Sequence, residues 1–424
     1  MIVLDTHALI FFVAEPAELS KRARKRIEDG AALFDNMPMP SPREEDWRYV
    51  ELGIDLAEAG LPEAPGTPMS PDALIAPAVG DVSGRALSVD GVTVDLDGEG
   101  LTRLATADDR AWSAAGSAGV PAHLDRFAAA HHAFGTDGIV VEVPDGKAVT
   151  APYLFEVQAV TPGALVLPRL VVDAGDGAEV SVIVYYRSPD GVSVTAVPHV
   201  EVAAGVNANV SVTVVQMWGD RTTAVAQHHH VADRDAALEL AEAGIGGRFA
   251  RMHTTIDLDG PGSEARVLGL YFGDHTQTLD YRAFMNHKAP NTTSDMFLKG
   301  AVGDHSRSVF TGLIRIEPEG QKTLAHQTNR NLVLSEGAEA HSVPNLEILA
   351  NDVRCGHGSA VGPLDAEQRY YLMSRGLDPA AADRLQVKGF FEEVLTRYRH
   401  RTLEPPLRVA AMEKYAGIME RNRP

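Results

Sequence analysis

The middle of the chain, residues 136–362, is a long succession of short apolar runs separated by turn-forming residues. The runs alternate apolar and polar positions and are rich in Val, Ile, Thr and aromatic residues, a pattern typical of half-buried β-strands. Representative runs are 139–143 (IVVEV), 179–188 (EVSVIVYYRS) and 209–218 (NVSVTVVQMW). So many short strands in one segment indicate either a β-sandwich or a solenoid of stacked coils. The runs follow no strict repeat period that would distinguish these two architectures.

The region before these strands, residues 1–135, is predicted to be mixed and mostly helical. Two short strand candidates meet at Asp90-Gly91, which is a strong hairpin signal. Residues 105–134 return to helical spacing, and His131 and His132 lie near their end. Because adjacent residues of a helix face different directions, we expect both histidines at the surface or at an interface.

The region after the strands, residues 363–424, is predicted to be a C-terminal helical domain. Asp365 followed by Gln368 is typical of a helix start, since the acid can accept hydrogen bonds from the first backbone amides. Asp378-Pro379 predicts the start of a second helix. Pro405-Pro406 is predicted to end that helix, and a third helix is predicted to follow.

The composition restricts the partners and the location of the chain. A formal net charge of −20 and a pI near 5.2 argue against a nucleic-acid surface and against adhesion to an anionic membrane. The single cysteine excludes an internal disulfide and a metal cluster held by four thiolates of this chain. No Walker A motif is present, so we expect no bound nucleotide. Without a membrane-spanning run or a signal-peptide pattern, a cytoplasmic protein is expected.

The single cysteine, Cys355, stands two residues before His357, with Gly356 and Gly358 beside them. On an extended strand, positions i and i+2 face the same side, so a thiol and an imidazole would project together. Both groups bind soft or borderline metals. The alternative is that Cys355 is a small buried hydrophobe, because one Cys-x-His pair falls short of a four-ligand zinc set.

A row of amides precedes this pair. Gln327, Asn329 and Asn331 alternate with other residues, so the three side chains share one side of a strand. They could form a polar row inside a coil, as stacked amides do in coiled β architectures. The other reading, a solvated outer face, is the one that we favour from the sequence.

Several long blocks of sequence carry a resemblance to a known family. The blocks are NHKAPNTTSD (286–295), KGAVGDHSRSVFTG (299–312), QKTLAHQTNRNLVLS (321–335), PNLEILANDVRCGHGSAVG (344–362) and LDAEQRYYLMSRG (364–376). They resemble the SufB/SufD family of iron–sulfur cluster assembly scaffolds, and SufD more than SufB. The SufB sister carries a cysteine in the strand where this chain has Asn329. Weaker similarity extends back to about residue 38.

The resemblance implies a mainly β fold, with a right-handed parallel β-helix core at 136–362 between helical N-terminal and C-terminal regions. It implies a scaffold subunit that is not an enzyme and that shares a transient iron–sulfur cluster with a partner subunit. His357 would be an iron ligand, and Cys355 a second participant. The implied partners are a SufB-like subunit at the β-helix edge, a SufC-like ATPase on the C-terminal helices and, as another arrangement, a second copy of the chain. Phe390 would be an exposed contact for the ATPase.

Residues 1–30 differ from that family and resemble the start of a PIN-domain ribonuclease. Asp5, after a short apolar run, would be the metal-binding acid of such a domain. A PIN site needs several carboxylates from distant parts of its fold, and this likeness stops near Gly30. A lone carboxylate cannot hold the metal ions, so nuclease activity is not expected.

Two other functions remain open from the sequence. One is a β-rich metal-binding enzyme that uses a histidine cluster, in which His228, His230 or His275 binds the metal. His228 and His230 are two residues apart and would face the same side of a strand. The other is a purely structural partner that stabilises a SufB-like subunit without contacting the cluster.

Overall fold

The computed structural model describes residues 21–56, 59–104, 118–135 and 137–422. The PIN-like strand with Asp5 lies outside these ranges. So does the first part of the helix predicted before His131 and His132.

Twenty-one strands form the core of the described chain. They are β1 (Gly84–Val89), β2 (Val92–Gly98), β3 (Leu101–Arg103), β4 (Ile139–Val143), β5 (Tyr153–Gln158), β6 (Leu165–Val166), β7 (Arg169–Ala174), β8 (Glu179–Arg187), β9 (Thr195–Ala196), β10 (His199–Ala204), β11 (Asn209–Met217), β12 (Thr223–Ala232), β13 (Ala237–Gly244), β14 (Phe249–Leu258), β15 (Glu264–Gly273), β16 (Thr278–His287), β17 (Thr293–Val302), β18 (Arg307–Ile316), β19 (Leu324–Val333), β20 (Glu339–Ile348) and β21 (Arg354–Gly362).

Helices lie before β1, between β3 and β4, and after β21. They are α1 (Lys21–Asn36), α2 (Ala76–Val79), α3 (Arg126–Phe134), α4 (Ala366–Ser374), α5 (Pro379–Leu395) and α6 (Glu404–Arg421). Within the described residues, none of these helices combines the length and the apolar character needed to cross a membrane.

The strands form a parallel β-solenoid. From β7 onwards, successive long strands alternate between two sheets, so that β8, β11, β13, β15, β17, β19 and β21 are neighbours in one sheet. In the same way β7, β10, β12, β14, β16, β18 and β20 are neighbours in the other. The pairs along both series are parallel and in continuous register. The predicted β-helix between helical ends is therefore confirmed, and the β-sandwich alternative is excluded.

The first coil is closed by antiparallel strands. β1 and β2 pair through a turn at Asp90 and Gly91, which both have positive φ values, as the Asp-Gly hairpin signal predicts. β2 is the outermost strand of its sheet, and its outward charges Asp95 and Asp97 are exposed. The pairing with β1 shifts register between Leu87 and Ser88. Edge charges and irregular pairing both discourage the addition of another strand.

The interior of the solenoid is filled by residues that stack from coil to coil. One stacked column runs through Val182, Val212, Leu240, Val267 and Met296, which are in register and buried. Each strand buries its alternate side chains in this interior, so the column is continuous along the axis. The hydrophobic contacts between successive coils stabilise the stack.

Helices cover the outer faces of the two sheets. α1, α3 and the segment around Trp47 pack on the sheet that contains β10 and β12, and α5 and α6 pack on the other sheet. His131 is 1% exposed, and its ring lies 3.6 Å from that of His199, centroid to centroid. Of the two positions predicted for His131, the surface position is therefore wrong, because α3 lies flat on the sheet and buries the side of the helix that carries this residue.

The C-terminal helices begin where the acidic caps predict. The Asp365 carboxylate accepts hydrogen bonds from the amides of Glu367 and Gln368, and that of Asp378 accepts one from Ala381. The predicted role of Pro405-Pro406 is wrong. α5 ends at Leu395, and the two prolines lie in the first turn of α6, where a missing N–H costs no intrahelical hydrogen bond.

Candidate functional site

The end of the solenoid formed by β20 and β21, here called the open end, differs from the first coil. β20 and β21 are the last strands of their sheets among the described residues. An edge strand presents unpaired backbone N–H and C=O groups, which makes it a template for pairing with another chain. Exposed apolar side chains add to this surface: Ile348 is 42% exposed, Leu349 55% and Val361 46%.

His357 lies at this end of the interior column that contains Val182 and Met296. Met296 is in register with Gln327, and Gln327 is in register with His357. Gln327 is fully buried, whereas His357 is exposed because the described chain has no further coil above it. The column thus changes from apolar to polar over its last two positions, and its last side chain is an accessible imidazole.

Cys355 lies one pleat away on the same side of β21. It is in register with the buried Ala325, is partly buried, and packs against the interior cluster. Burial raises the pKa of the Cys355 thiol, which keeps it protonated at neutral pH in the absence of a metal ion. With His326 and Arg354 it lines a shallow groove of about 400 Å³. The structure therefore brings Cys355 and His357 together at the open end, as their spacing predicts.

The glycines of β21 leave the opposite side of this strand bare. A Cβ atom on Gly358 would have its nearest neighbour at 4.0 Å, the hydroxyl of Thr328, and one on Gly356 would meet the ring of His326 at 3.4 Å. Within the described residues, no atom lies so close to either position that a side chain would be excluded. Their effect is to let another backbone approach β21 closely.

The amide row lies inside the solenoid, so the favoured reading of an outer face is wrong. Gln327, Asn329 and Asn331 are at most 3% exposed. The reason is that near the open end the alternation places polar, not apolar, residues on the inner side. Buried amides require hydrogen-bond partners, and both polar atoms of Asn329 and of Asn331 have them. Gln327 Nε2 donates to the backbone oxygen of Asn345 at 3.1 Å, whereas Gln327 Oε1 has no partner among the described residues.

Asn329 is the centre of this polar network. Its Nδ2 donates to Tyr271 Oη at 2.8 Å, while its Oδ1 accepts from Asn331 Nδ2 at 2.6 Å and from Ser342 Oγ at 2.7 Å. Ser359 on β21 donates in turn to Ser342 at 2.8 Å. The network therefore connects β19, β20 and β21 and fixes their relative position beneath His357.

A second exposed surface lies on the C-terminal helices. All nine residues of α4 are exposed or partly exposed, including Tyr370 at 75%, Tyr371 at 57% and Met373 at 40%. Leu385 on the neighbouring α5 is 45% exposed. Several large exposed apolar side chains on one helix and its neighbour are a feature of protein interaction sites. Tyr370, Tyr371, Met373 and Leu385 are here called the α4 patch, a site that the sequence reasoning missed although YYLM stands in one of the quoted blocks.

Phe390, the expected contact residue, is less accessible than these. Lys299 lies over its ring at 4.2 Å and donates a hydrogen bond to its backbone oxygen at 2.9 Å. Phe391 is 2% exposed and packs against Phe272. The two phenylalanines hold α5 on the sheet. The large apolar side chains that remain exposed on α4 and α5 are those of the α4 patch.

The three histidines considered for a metal enzyme do not form one site. His228 and His230 point into the solenoid, whereas the side chain of His275 is 63% exposed on the turn after β15. His275 lies near Asp274 and Asp304, and among the described residues these form a set with metal-binding spacing. Both carboxylates already pair with Arg421, and Asp274 also pairs with Lys414. These ion pairs fasten α6 to the turns of the solenoid.

Comparison with known proteins identifies the family. A family model described as "SUF system FeS cluster assembly, SufBD core domain" matches residues 157–390. A SufBD family protein of Mycobacterium leprae is 32% identical over 394 residues, which cover 91% of this chain and 93% of that protein. The chain belongs to the SufBD family of iron–sulfur cluster assembly proteins.

Other members of the SufBD family show different extents of similarity. A SufBD family protein of Mycobacterium tuberculosis is 34% identical over 290 residues, which cover 66% of this chain and 72% of the relative. The iron–sulfur cluster assembly protein SufD of Escherichia coli is 34% identical over 184 residues, or 42% of this chain and 43% of that protein. The matched family domain includes the open end and α4, so both surfaces belong to the shared part of the fold.

Proposed function

We propose that this SufBD family chain acts as a SufD-like scaffold that is not itself an enzyme. Its open end would supply part of the site on which a nascent iron–sulfur cluster forms, and its C-terminal helices would hold an ATPase. The observation that carries the proposal is the position of His357, an exposed imidazole at the end of a buried column and on an edge strand. This place allows a second subunit to reach the imidazole.

The cluster is cargo that must be shared between subunits. An imidazole can take the place of a thiolate on an iron atom, but one histidine and one cysteine cannot hold a cluster alone. A SufB-like partner that pairs with the edge of the solenoid would provide the remaining ligands. In this arrangement His357 binds iron, and Cys355 lies beside it as a second donor whose proton is displaced when it binds metal.

Two observations support a SufD-like rather than a SufB-like role. The similarity to the Escherichia coli protein named SufD is one of them. The other is that Asn329 occupies the strand in which the SufB sister carries a cysteine, and this amide is fully engaged in hydrogen bonds. A side chain held in this way supplies structure and no thiolate.

The α4 patch is the proposed docking surface for the ATPase. The chain lacks a Walker A motif, so a SufC-like partner would bind and hydrolyse the nucleotide. Tyrosine and methionine are enriched at protein interfaces, and the α4 patch contains two tyrosines and one methionine. We place the assembled complex in the cytoplasm, where a reducing environment protects free thiols.

The proposal is tested by co-expression with SufB-like and SufC-like partners, anaerobic purification, and the visible spectrum of the complex. His357→Ala should leave the complex intact and remove most of the cluster absorbance. The matched control is His305→Ala, an exposed histidine on the turn before β18, which should change neither. Normal cluster content in the His357→Ala complex would favour the purely structural partner instead.

A further inference from the structure

The coil formed by β12 and β13 has a polar interior where its neighbours are apolar. His230 is in register with Val202 and Ile256 on the adjacent strands, and all three point inwards. His228 on β12 and Glu242 on β13 face the same interior. The exposed fraction is 2% for His228, 0% for His230 and 2% for Glu242. Two imidazoles and a carboxylate are thus enclosed in the interior, where Glu242 Oε1 also accepts a hydrogen bond of 2.5 Å from Thr254 Oγ1.

The two imidazoles have no hydrogen-bond partners. Within the described part of the chain, all four ring nitrogens of His228 and His230 are buried without one. The same holds for the hydroxyl of Tyr281, which lies over Gly244 so closely that a Cβ atom there would be 1.8 Å from it. Buried polar groups are normally paired, so this set of unpaired groups needs an explanation.

The spacing of His228 and Glu242 suits a shared cation better than direct pairing. His228 Nδ1 lies 3.8 Å from Glu242 Oε1, which is too long for a hydrogen bond. Two ligands on one tetrahedral zinc ion are roughly 3.4 Å apart, given bond lengths near 2.1 Å. The ring centroids of His228 and His230 are 6.2 Å apart, so His230 must turn towards the carboxylate to complete the set.

We propose that His228, His230 and Glu242 form a buried structural site for one divalent transition-metal ion of the zinc class. Two imidazoles and one carboxylate are a donor set that binds such ions, and His residues at i and i+2 of a strand reach the same ion. The site is enclosed, so the ion enters while the chain folds and stabilises the coil instead of reacting with a substrate. It is separate from the open end and does not depend on the proposed cluster chemistry.

The test is metal analysis of the full-length chain, purified and then refolded anaerobically with Zn²⁺ or Co²⁺ after unfolding in chelator. The refolded protein should retain one ion per chain through dialysis against chelator. Co²⁺ should give the ligand-field bands of a tetrahedral site with nitrogen and oxygen ligands. Glu242→Gln and His230→Gln, which keep the side-chain volume nearly constant, should reduce the retained metal at least tenfold. His275→Ala and His357→Ala should retain it.

Three results would overturn the site. The first is wild-type protein that refolds in the presence of Zn²⁺ or Co²⁺ and retains less than a tenth of an ion per chain, which would assign the unpaired ring nitrogens to ordered water. The second is full retention by Glu242→Gln and His230→Gln. The third is loss of the metal on His275→Ala or His357→Ala, which would place it elsewhere. If the Glu242 and His230 variants do not fold, wild-type retention, the Co²⁺ spectrum and these two controls still decide the outcome.

Discussion

Replacement of Asn329 by alanine should destabilise the last coils of the solenoid by about 3 kcal/mol. The variant loses four hydrogen bonds: those to Tyr271, Asn331 and Ser342, and a long one of 3.4 Å to the backbone oxygen of Leu298. Asn331 is 3% exposed, so its freed Nδ2 remains buried without a partner, which costs about 1–3 kcal/mol. Ser342 is only partly buried and can turn to water, and Tyr271 keeps its bond to Asn331. These two losses and the small cavity together add about 1 kcal/mol.

The assay is urea unfolding followed by circular dichroism, with the change in free energy taken from the shift of the midpoint at constant slope. Thr328→Ala is the matched control, because Thr328 is the neighbouring residue on the outer face and is partly exposed. It should change stability by less than about 0.5 kcal/mol. A loss below about 1 kcal/mol for Asn329→Ala would refute the reasoning, since it would mean that the network does not hold β19, β20 and β21 together. Because Ser359 takes part in the network, the same variant should also weaken iron binding at His357.

Two further predictions concern the α4 patch and the response to acid. Tyr370→Ala should weaken binding of the SufC-like ATPase, measured by calorimetric titration, at least tenfold without lowering the melting temperature. The control is Val409→Ala, since Val409 is an exposed apolar residue on α6, and this variant should bind normally. Equal loss of binding for both variants would contradict the assignment. Burial lowers the pKa of His287 from 6.5 to about 4. Between these two pH values, only the unfolded state takes up the proton. The free energy of unfolding should therefore fall by up to about 3 kcal/mol as the pH drops through that window. His287→Gln should reduce this pH dependence of urea unfolding, and an unchanged dependence would assign it to other groups.

The strands could be read from the sequence, but their arrangement could not. Alternation in runs such as 179–188 depends only on which side chains are buried, and β8 at Glu179–Arg187 matches that run closely. A strand of a β-sandwich would show the same alternation, because the alternation does not reveal which distant strand pairs with it. The choice of a solenoid came from the family resemblance, and the parallel register confirms it.

The errors have a common physical cause. Alternation shows that Gln327, Asn329 and Asn331 share a side, but not whether that side faces inwards, and polarity suggested the wrong face. For His131, helical spacing could not reveal that α3 lies on a sheet that buries it. Pro405-Pro406 is compatible with the end of one helix and with the start of the next, so local preference alone could not decide.

The candidate site was predicted in part. The spacing of Cys355 and His357 placed them on one side of a strand, and the structure brings both to the open end. That β21 is the last strand was expected from the family resemblance, which ended the β-helix at residue 362, and could not be derived from the residues alone because the order of the coils depends on the whole stack. Glu242, opposite His228, gave no signal either, since the contact joins two strands whose pairing in space the sequence does not reveal.

The asymmetry between the two ends of the stack limits how these molecules can associate. At the hairpin end, β2 shields its sheet with acidic side chains and an irregular register, while β20 and β21 remain receptive. A molecule with one receptive end can pair with one neighbour and then has no receptive end left for another. Backbone pairing at the open end would therefore stop at a pair and would not propagate into a fibre, which would be a valuable property for a protein built largely from stacked strands.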